Sequence, residues 1–243
     1  MADEEVAGAL RARPLYRQVR DALVRRIADG VWQSGQAIPS EFEIAADLGV
    51  SQGTVRKALD EMAAERLVMR RQGRGTFVAR HDDERILFQF FKLVPDAGGR
   101  RFPESRVLAV SRRPADARAA ERLDIPPRTG IVAIERLRTL AGAPRVWERI
   151  VVPARLFPGL AERELPNNLY ELYALEFGVT IAAATERLTA VAATAREAGP
   201  LEIAPGTPLL AVDRVARSID GRAAEWRVSL CRTDGVHYVS ELP

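Results

Sequence analysis

The sequence predicts an α+β fold in two domains, the second built on a mostly antiparallel sheet. First, 243 residues are long for one compact domain and suit two. Second, residues 12–80 show short amphipathic helices followed by a hairpin, whereas residues 86–243 show strands interrupted by helices. Third, a short charged segment at 81–85 separates the two patterns. We therefore expect one domain at 12–80, a linker at 81–85 and a second domain at 86–243.

The first domain is predicted to begin with a helix at 15–27. Its apolar residues recur at every fourth position with arginines between them, which gives the helix one apolar face. Pro14 suits its first turn, and Gly30 ends it.

Two further helices are predicted within residues 39–65. Ser40 and Ser51 are each placed to cap a helix, and Glu43 is placed to complete a capping box with Ser40. Gly49 lies in the tight turn between the helices. A positioning helix, a tight turn and a second helix with polar residues in its first turn are typical of a helix-turn-helix. Double-stranded DNA is therefore the expected partner.

The second of these helices is predicted to be the recognition helix, with its polar residues projecting outward. Two strand-like segments, 67–71 and 76–79, follow it and flank a tip with glycine and arginine. This hairpin is predicted to be a wing that contacts phosphates and reaches the minor groove. The candidate DNA-binding residues are Ser40, Glu41, Gln52, Thr54, Arg56, Arg71, Gln72, Gly73 and Arg74.

The second domain is predicted to combine a sheet with three helices. Turns are expected at 126–127, 142–144 and 220–221, where Pro and Gly cluster. The predicted helices lie at 115–123, 169–177 and 194–201. The predicted strands lie at 86–94, 106–111, 130–140, 145–152, 179–193, 209–219 and 224–232.

One strand of this domain carries a pair of arginines that suits an anion. The two-residue period of a strand places Arg136 and Arg138 on one face, and Glu148 falls on the next strand. Two guanidinium groups on one face repel each other unless an anion lies between them, and arginine binds carboxylate or phosphate in a bidentate manner. The alternative interpretation is an exposed face with a cross-strand ion pair of little energetic value. Trp147 should face away from Glu148 and pack in the core.

Composition narrows the classes of protein to which the chain could belong. The single cysteine, Cys231, excludes an internal disulfide framework, and the acidic start is unlike a signal peptide. No apolar run is long enough to cross a membrane, so we expect a cytoplasmic protein. The only histidines, His81 and His237, do not have metal-ligand spacing, and we expect no cofactor.

The first domain resembles the winged-helix domain of the GntR family of bacterial transcription regulators. The resemblance covers about residues 12–80 and differs from the family at Phe42 and Gln52, where arginines that reach DNA are common, and at Arg66, where glycine usually ends the recognition helix. The matching motifs are Pro14-Leu15-Tyr16, Pro39-Ser40-Glu41, Leu48-Gly49-Val50-Ser51, Thr54-Val55-Arg56 and Gln72-Gly73-Arg74-Gly75-Thr76-Phe77-Val78.

The second domain resembles the UTRA effector domain of the HutC-type branch, from about residue 85 to 242. The resemblance implies the fold of chorismate lyase and the binding of a small molecule. Asn168 stands where the family commonly has Ser, and Cys231 where it has Tyr. The matching segments are 123–127, 132–138, 147–148, 169–170, 209–212 and Glu225. The effector contacts that the resemblance implies are Arg136, Arg138, Glu148, Tyr170 and Glu225.

These observations predict a ligand-responsive transcription regulator that acts as a repressor. We expect a homodimer that binds a near-palindromic operator and a small anionic effector. Two alternatives stay open from the sequence. A lyase-like enzyme would turn its ligand over, and an effector-independent DNA-binding protein would have no cavity in its second domain.

Overall fold

The computed structural model describes residues 14–65, 67–79, 91–99 and 102–240. These fall into two compact units, Met1–Ala79 and Arg80–Pro243. Arg66, the predicted linker at 81–85 and the first residues of the strand predicted at 86–94 lie outside the described residues.

The described residues of the first unit form three helices and a hairpin, as predicted. The apolar faces of the helices meet in a core that includes Leu23, Ile44, Val55 and Leu59, each at most 1% exposed. The elements are α1 (Leu15–Ala28), α2 (Glu41–Leu48), α3 (Gln52–Ala64), β1 (Val68–Arg71) and β2 (Gly75–Val78). Strands β1 and β2 pair antiparallel.

The predicted caps are confirmed. Ser40 accepts a hydrogen bond from the Glu43 backbone N–H while the Glu43 carboxylate accepts one from the Ser40 backbone N–H, which forms a capping box. Ser51 accepts a hydrogen bond from the Thr54 backbone N–H at the start of α3. Gly49 ends α2 with φ of 64°, a left-handed conformation that favours glycine and makes the sharp turn into α3.

The second unit is built on a six-stranded antiparallel sheet. The strands are β3 (Leu93–Pro95), β4 (Glu104–Pro114), β5 (Gly130–Leu140), β6 (Ala143–Pro153), β7 (Ile181–Ala192), β8 (Pro208–Ser218), β9 (Ala223–Cys231) and β10 (Val236–Tyr238). The strand order of the large sheet is β4-β5-β6-β9-β8-β7, and a separate two-stranded sheet pairs β3 with β10. The helices are α4 (Ala117–Leu123), α5 (Leu169–Phe177) and α6 (Ala195–Leu201), with short 3₁₀ turns at Ala154–Leu156 and Leu160–Glu162. The α+β class with an antiparallel sheet is confirmed.

The hairpin between β5 and β6 differs from its prediction. The turn predicted at 142–144 is wrong in position, because β6 already begins at Ala143. The connection is the pair Ala141–Gly142, whose φ angles are 53° and 77°. Two-residue hairpin loops require such positive φ values because their twist then matches that of the strands.

The two faces of the large sheet have different coverings. On one face, α4 and α6 pack against clusters that include Trp226 and Trp147, so the prediction that Trp147 packs in the core is confirmed. On the other face, α5 covers an apolar cluster that includes Ile134, Ile150 and Tyr173. The strand period continues from Ile134 to Arg136 on this second face. No helix within the described ranges is long and apolar enough to span a membrane.

Candidate functional site

The exposed surface of α3 carries two of the predicted DNA-binding side chains. Gln52 and Arg56 are exposed, whereas Val55 between them is fully buried and holds the helix to the core. Thr54 is half-buried, and its hydroxyl oxygen lies 2.8 Å from that of Ser51, within the cap. The helix therefore offers Gln52 and Arg56 more openly than Thr54.

Glu41 connects α2 to this surface. Its carboxylate accepts a hydrogen bond from the Arg56 Nε at 3.0 Å and lies 3.1 Å from Arg70 Nη1. Arg70 also pairs with Asp60 at 2.9 Å. A carboxylate is repelled by a phosphate backbone, so Glu41 is suited to orient the arginines beside it. The Ser40 hydroxyl is engaged with Glu43 at 2.7 Å, inside the capping box.

The tip of the wing presents the other predicted residues. Arg71, Gln72, Gly73 and Arg74 are all exposed. The Arg74 backbone N–H donates to the Arg71 carbonyl at 2.9 Å and closes the turn. The Arg71 guanidinium lies 5.0 Å from the centre of the Phe77 ring, so its stem is directed along β2 while its charge stays in solvent.

A cavity in the second unit lies beneath the polar end of the sheet. About 550 Å³ of its space is free of protein atoms when the part that opens to solvent is included. Its walls come from β3, β5, β6, β8, β9, β10, residue Phe102 and the start of α5. The lining residues are Phe91, Lys92, Leu93, Phe102, Arg136, Arg138, Val146, Glu148, Asn167, Asn168, Leu169, Tyr170, Val212, Arg214, Arg227, Ser229, Cys231 and Tyr238.

Sheet register brings Arg136 and Glu148 together as predicted, but inside the domain. Arg136 is opposite Glu148 on β6, which is opposite Ser229 on β9. The Arg136 Nε donates to Glu148 at 2.5 Å, and the Ser229 hydroxyl donates to the same carboxylate at 3.2 Å. Arg136 and Glu148 are each 2% exposed, so the alternative of an exposed cross-strand pair is wrong. Burial would raise the pKa of Glu148, but the surrounding arginines outweigh it and hold the pKa well below its usual range.

Arg138 is the least neutralised of the buried arginines. Its nearest carboxylate contact is Glu148 at 3.9 Å, and its Nη2 donates to the Asn167 side-chain oxygen at 3.2 Å. Its buried Nε has no hydrogen-bond partner among the described residues. The rings of Phe91 and Phe102 lie 5.0 and 5.1 Å from the guanidinium carbon. Burial, followed by repulsion from nearby arginines, lowers the pKa of Arg138 well below its usual range.

Glu225, an effector contact that the resemblance implies, lies behind the cavity wall. It is fully buried and is not among the residues that line the cavity. Its carboxylate accepts hydrogen bonds from Tyr170 at 3.0 Å, Tyr173 at 3.1 Å and Arg227 at 2.9 and 2.8 Å. Tyr170 does line the cavity, and burial together with Glu225 raises its pKa to about 12. Glu225 therefore fixes residues of the cavity wall from behind.

Sequence reasoning missed several lining residues. Arg227 follows Glu225 at the strand period, and that spacing was a usable signal. Arg214 enters from β8, opposite Arg227, which only the strand order reveals. Phe91 and Phe102 had no local signal, because they belong to segments that approach Arg138 only in the folded unit. In the described ranges, no cluster of three or more His, Cys, Asp or Glu side chains could hold a metal ion.

A helix-turn-helix with a wing, followed by a unit with a charged internal cavity, defines a DNA-binding regulator with a ligand-binding domain. Comparison with known proteins leads to the same class of protein. The model for bacterial regulatory proteins of the gntR family matches residues 15–78, and the UTRA domain model matches residues 98–237. The chain belongs to the GntR family, and the predicted resemblance to its HutC-type, UTRA-containing regulators is confirmed.

Two curated relatives and one solved structure illustrate the similarity. The transcriptional repressor NagR of Bacillus subtilis is 31% identical over 94% of this chain and 96% of its own length. The mannosyl-D-glycerate transport/metabolism system repressor MngR of Escherichia coli is 28% identical over 91% of this chain and 93% of its own length. The crystal structure of PhnF from Mycobacterium smegmatis is 28% identical, with a TM-score of 0.55 over 92% of this chain and 98% of that one. The protein is a transcription regulator, and the enzyme alternative is wrong.

Proposed function

We propose that this protein is a homodimeric repressor that binds a near-palindromic operator and is released by a small anionic effector. The observation that supports the effector most directly is Arg138, a buried guanidinium that lines the cavity with its Nε unpartnered. Arginine in this state favours a carboxylate or a phosphate. The cavity also distinguishes this proposal from an effector-independent DNA-binding protein, which would need none.

The DNA-binding part of the proposal rests on α3 and the wing. Arg56 and Gln52 are exposed on the recognition helix and are proposed to contact base edges or nearby phosphates. The exposed wing residues are proposed to hold the backbone and the minor groove. Glu41 and Ser40 are proposed to act beside them by orienting Arg56 and by capping α2.

Repression is proposed from the relatives, since NagR and MngR are both named repressors. A dimer follows from the way winged helices usually read DNA, because two identical heads related by a twofold axis match two half-sites. The protein would act in the cytoplasm, where bacterial DNA is found.

The test begins with selection of binding sites from a random duplex pool. We expect the selected sites to show twofold symmetry, with one protomer bound per half-site in a mass measurement of the complex. Fluorescence anisotropy with the selected duplex then follows DNA release in the presence of carboxylates and phosphate esters. We expect one class to weaken operator binding by about 5- to 150-fold. Asymmetric sites would refute the dimeric arrangement, and an unchanged affinity with every anion would refute the effector.

A further inference from the structure

The described residues around the cavity carry more buried positive charge than negative charge. Four arginines line the cavity, and three carboxylates contact them. Each carboxylate pairs closely with a different arginine. The closest nitrogen–oxygen distances are 2.5 Å for Arg136–Glu148, 2.5 Å for Arg214–Glu186 and 2.8 Å for Arg227–Glu225. The fourth arginine, Arg138, is left with the 3.9 Å contact to Glu148, which already serves Arg136.

Among these arginines and carboxylates the excess therefore amounts to one charge, located at Arg138. Lys92 also lines the cavity, but it is half-buried, so solvent screens it more effectively than the buried arginines. The rings of Phe91 and Phe102 lie 5.0 and 5.1 Å from the Arg138 guanidinium carbon, and the Nε has no partner among the described residues, so the edge that carries the Nε–H could still pair with a ligand. One carboxylate matches that edge in charge and in geometry.

The neutral polar groups of the cavity are already hydrogen-bonded within the protein. The Ser229 hydroxyl donates to Glu148 at 3.2 Å, and the Asn168 side-chain oxygen accepts from the Glu171 backbone N–H at 3.2 Å. Both polar atoms of the Asn167 side chain are hydrogen-bonded. Its oxygen accepts from Arg138, and its nitrogen donates to the Pro103 carbonyl at 2.7 Å.

The two tyrosine hydroxyls of the lining are engaged in the same way. Tyr170 donates to Glu225 at 3.0 Å, and Tyr238 donates to Glu186. Because these hydroxyl groups already use their donor hydrogens, a ligand with several hydroxyl groups would find acceptors in the lining but few free donors among its neutral groups. A buried hydroxyl oxygen that lacks a donor is unfavourable relative to its hydrated state.

The rest of the wall is apolar. Cys231 belongs to it, since burial raises the pKa of its thiol and keeps it neutral. The apolar lining residues are Phe91, Leu93, Phe102, Val146, Leu169, Val212 and Cys231. Such a wall favours a hydrocarbon or aromatic body over a hydrated one.

We propose that the effector is a monoanion with a largely apolar body, such as an alkyl or aryl carboxylate, whose single carboxylate binds Arg138. The inference rests on the proposed function, because it names the chemistry of the effector that would release the operator. It also separates this protein from a sensor of polyhydroxylated sugar phosphates, which bring two charges and many hydroxyl groups.

The experiment compares three sets of compounds by thermal shift and by calorimetric titration of the full-length protein. The first set is butyrate, hexanoate, octanoate, benzoate and phenylacetate. The second set is glucose 6-phosphate, glucosamine 6-phosphate and fructose 6-phosphate. The third set is hexanamide and phenylacetamide, which keep the apolar bodies and remove the charge. We expect at least one monocarboxylate to raise the melting temperature in a concentration-dependent way, with no rise from its amide or from the sugar phosphates.

Two matched variants test whether the carboxylate binds at Arg138. Arg138→Gln should weaken the stabilising carboxylate by about 10- to 100-fold, since a charge-assisted hydrogen bond is lost. Arg187→Gln, which removes an exposed arginine from β7 of the same sheet, should leave the affinity unchanged. Equal weakening in both variants, or none in Arg138→Gln, would place the carboxylate elsewhere.

The other outcomes separate this inference from the proposed function. Stabilisation by sugar phosphates and by no monocarboxylate would overturn the inference while leaving an anionic effector in place. Equal stabilisation by an acid and its amide would overturn the role of Arg138. No response to any monocarboxylate would also overturn the inference, and the operator-release experiment with the wider anion panel would then decide the proposed function separately.

Discussion

Replacing Glu225 with Gln removes one negative charge from the centre of the buried network. The carboxylate is fully buried and accepts four hydrogen bonds, two from Arg227 and one each from Tyr170 and Tyr173. Gln has one carbonyl oxygen and an amide group that itself donates, so at least one of these donors loses its acceptor. The nearest carboxylate left to Arg227 among the described residues is then Glu148, at 3.5 Å. Breaking a buried ion pair from one side costs about 3–5 kcal/mol, which is the expected loss in the free energy of unfolding.

The assay follows urea unfolding of the second unit by tryptophan fluorescence. Trp147 and Trp226 lie in that unit, and Trp32→Phe removes the signal of the first unit, which could unfold separately. Glu162→Gln is the matched control, because Glu162 forms an ion pair whose partners are both more than half exposed. Its expected effect is at most about 1 kcal/mol. A Glu225→Gln variant within about 1 kcal/mol of the parent would refute the argument that this carboxylate holds the cavity wall together.

Three further predictions concern DNA binding, capping and pH. Arg56→Ala should weaken binding to the selected operator by about 1–3 kcal/mol in anisotropy titrations, and an unchanged affinity would remove Arg56 from the interface. Ser40→Ala should lower the free energy of unfolding of the first unit by about 1 kcal/mol, followed through Trp32, because α2 loses its cap. The pKa of Glu148 is lower in the folded state than in the unfolded state, so its stabilising contribution is present above the unfolded pKa of about 4.3 and is lost as the pH falls. The difference in unfolding free energy between the parent and Glu148→Gln should therefore shrink below about pH 4, and a constant difference would contradict this account.

Local patterns in the sequence predict most of the elements. The strand predicted at 130–140 coincides with β5, and the helix predicted at 169–177 coincides with α5. Both have local signals, since β5 begins with the apolar run Ile131–Ile134 and α5 begins at a capping Asn168. β10, with three residues, is too short for any periodicity and was missed. The helix caps were predictable because they depend on residues three positions apart.

The composition of the cavity was only partly predictable. Arg136 and Glu148 belong to consecutive strands joined by a short hairpin, so their pairing follows from local sequence. The pairing of β6 with β9 joins strands that are far apart in the chain, and it alone places Ser229 beside Glu148. Glu225 was assigned to the ligand because the family resemblance implied it. In the structure its carboxylate accepts hydrogen bonds from Arg227 and from two tyrosines of α5, and no pattern within β9 indicates the tyrosines.

The charge network determines how variants of this cavity should be interpreted. Glu148 and Glu225 neutralise the arginines around them. Removing either carboxylate therefore leaves more uncompensated positive charge inside the second unit and destabilises it. Arg138 is the opposite case, because it adds a charge that no carboxylate in the described cavity closely balances. Arg138→Gln relieves repulsion between arginines and should leave stability unchanged or higher. A loss of effector response in that variant therefore reports lost binding, whereas the same loss in Glu225→Gln could result from a collapsed cavity wall. Arg138 is for this reason the residue whose substitution tests the effector site without also testing the fold.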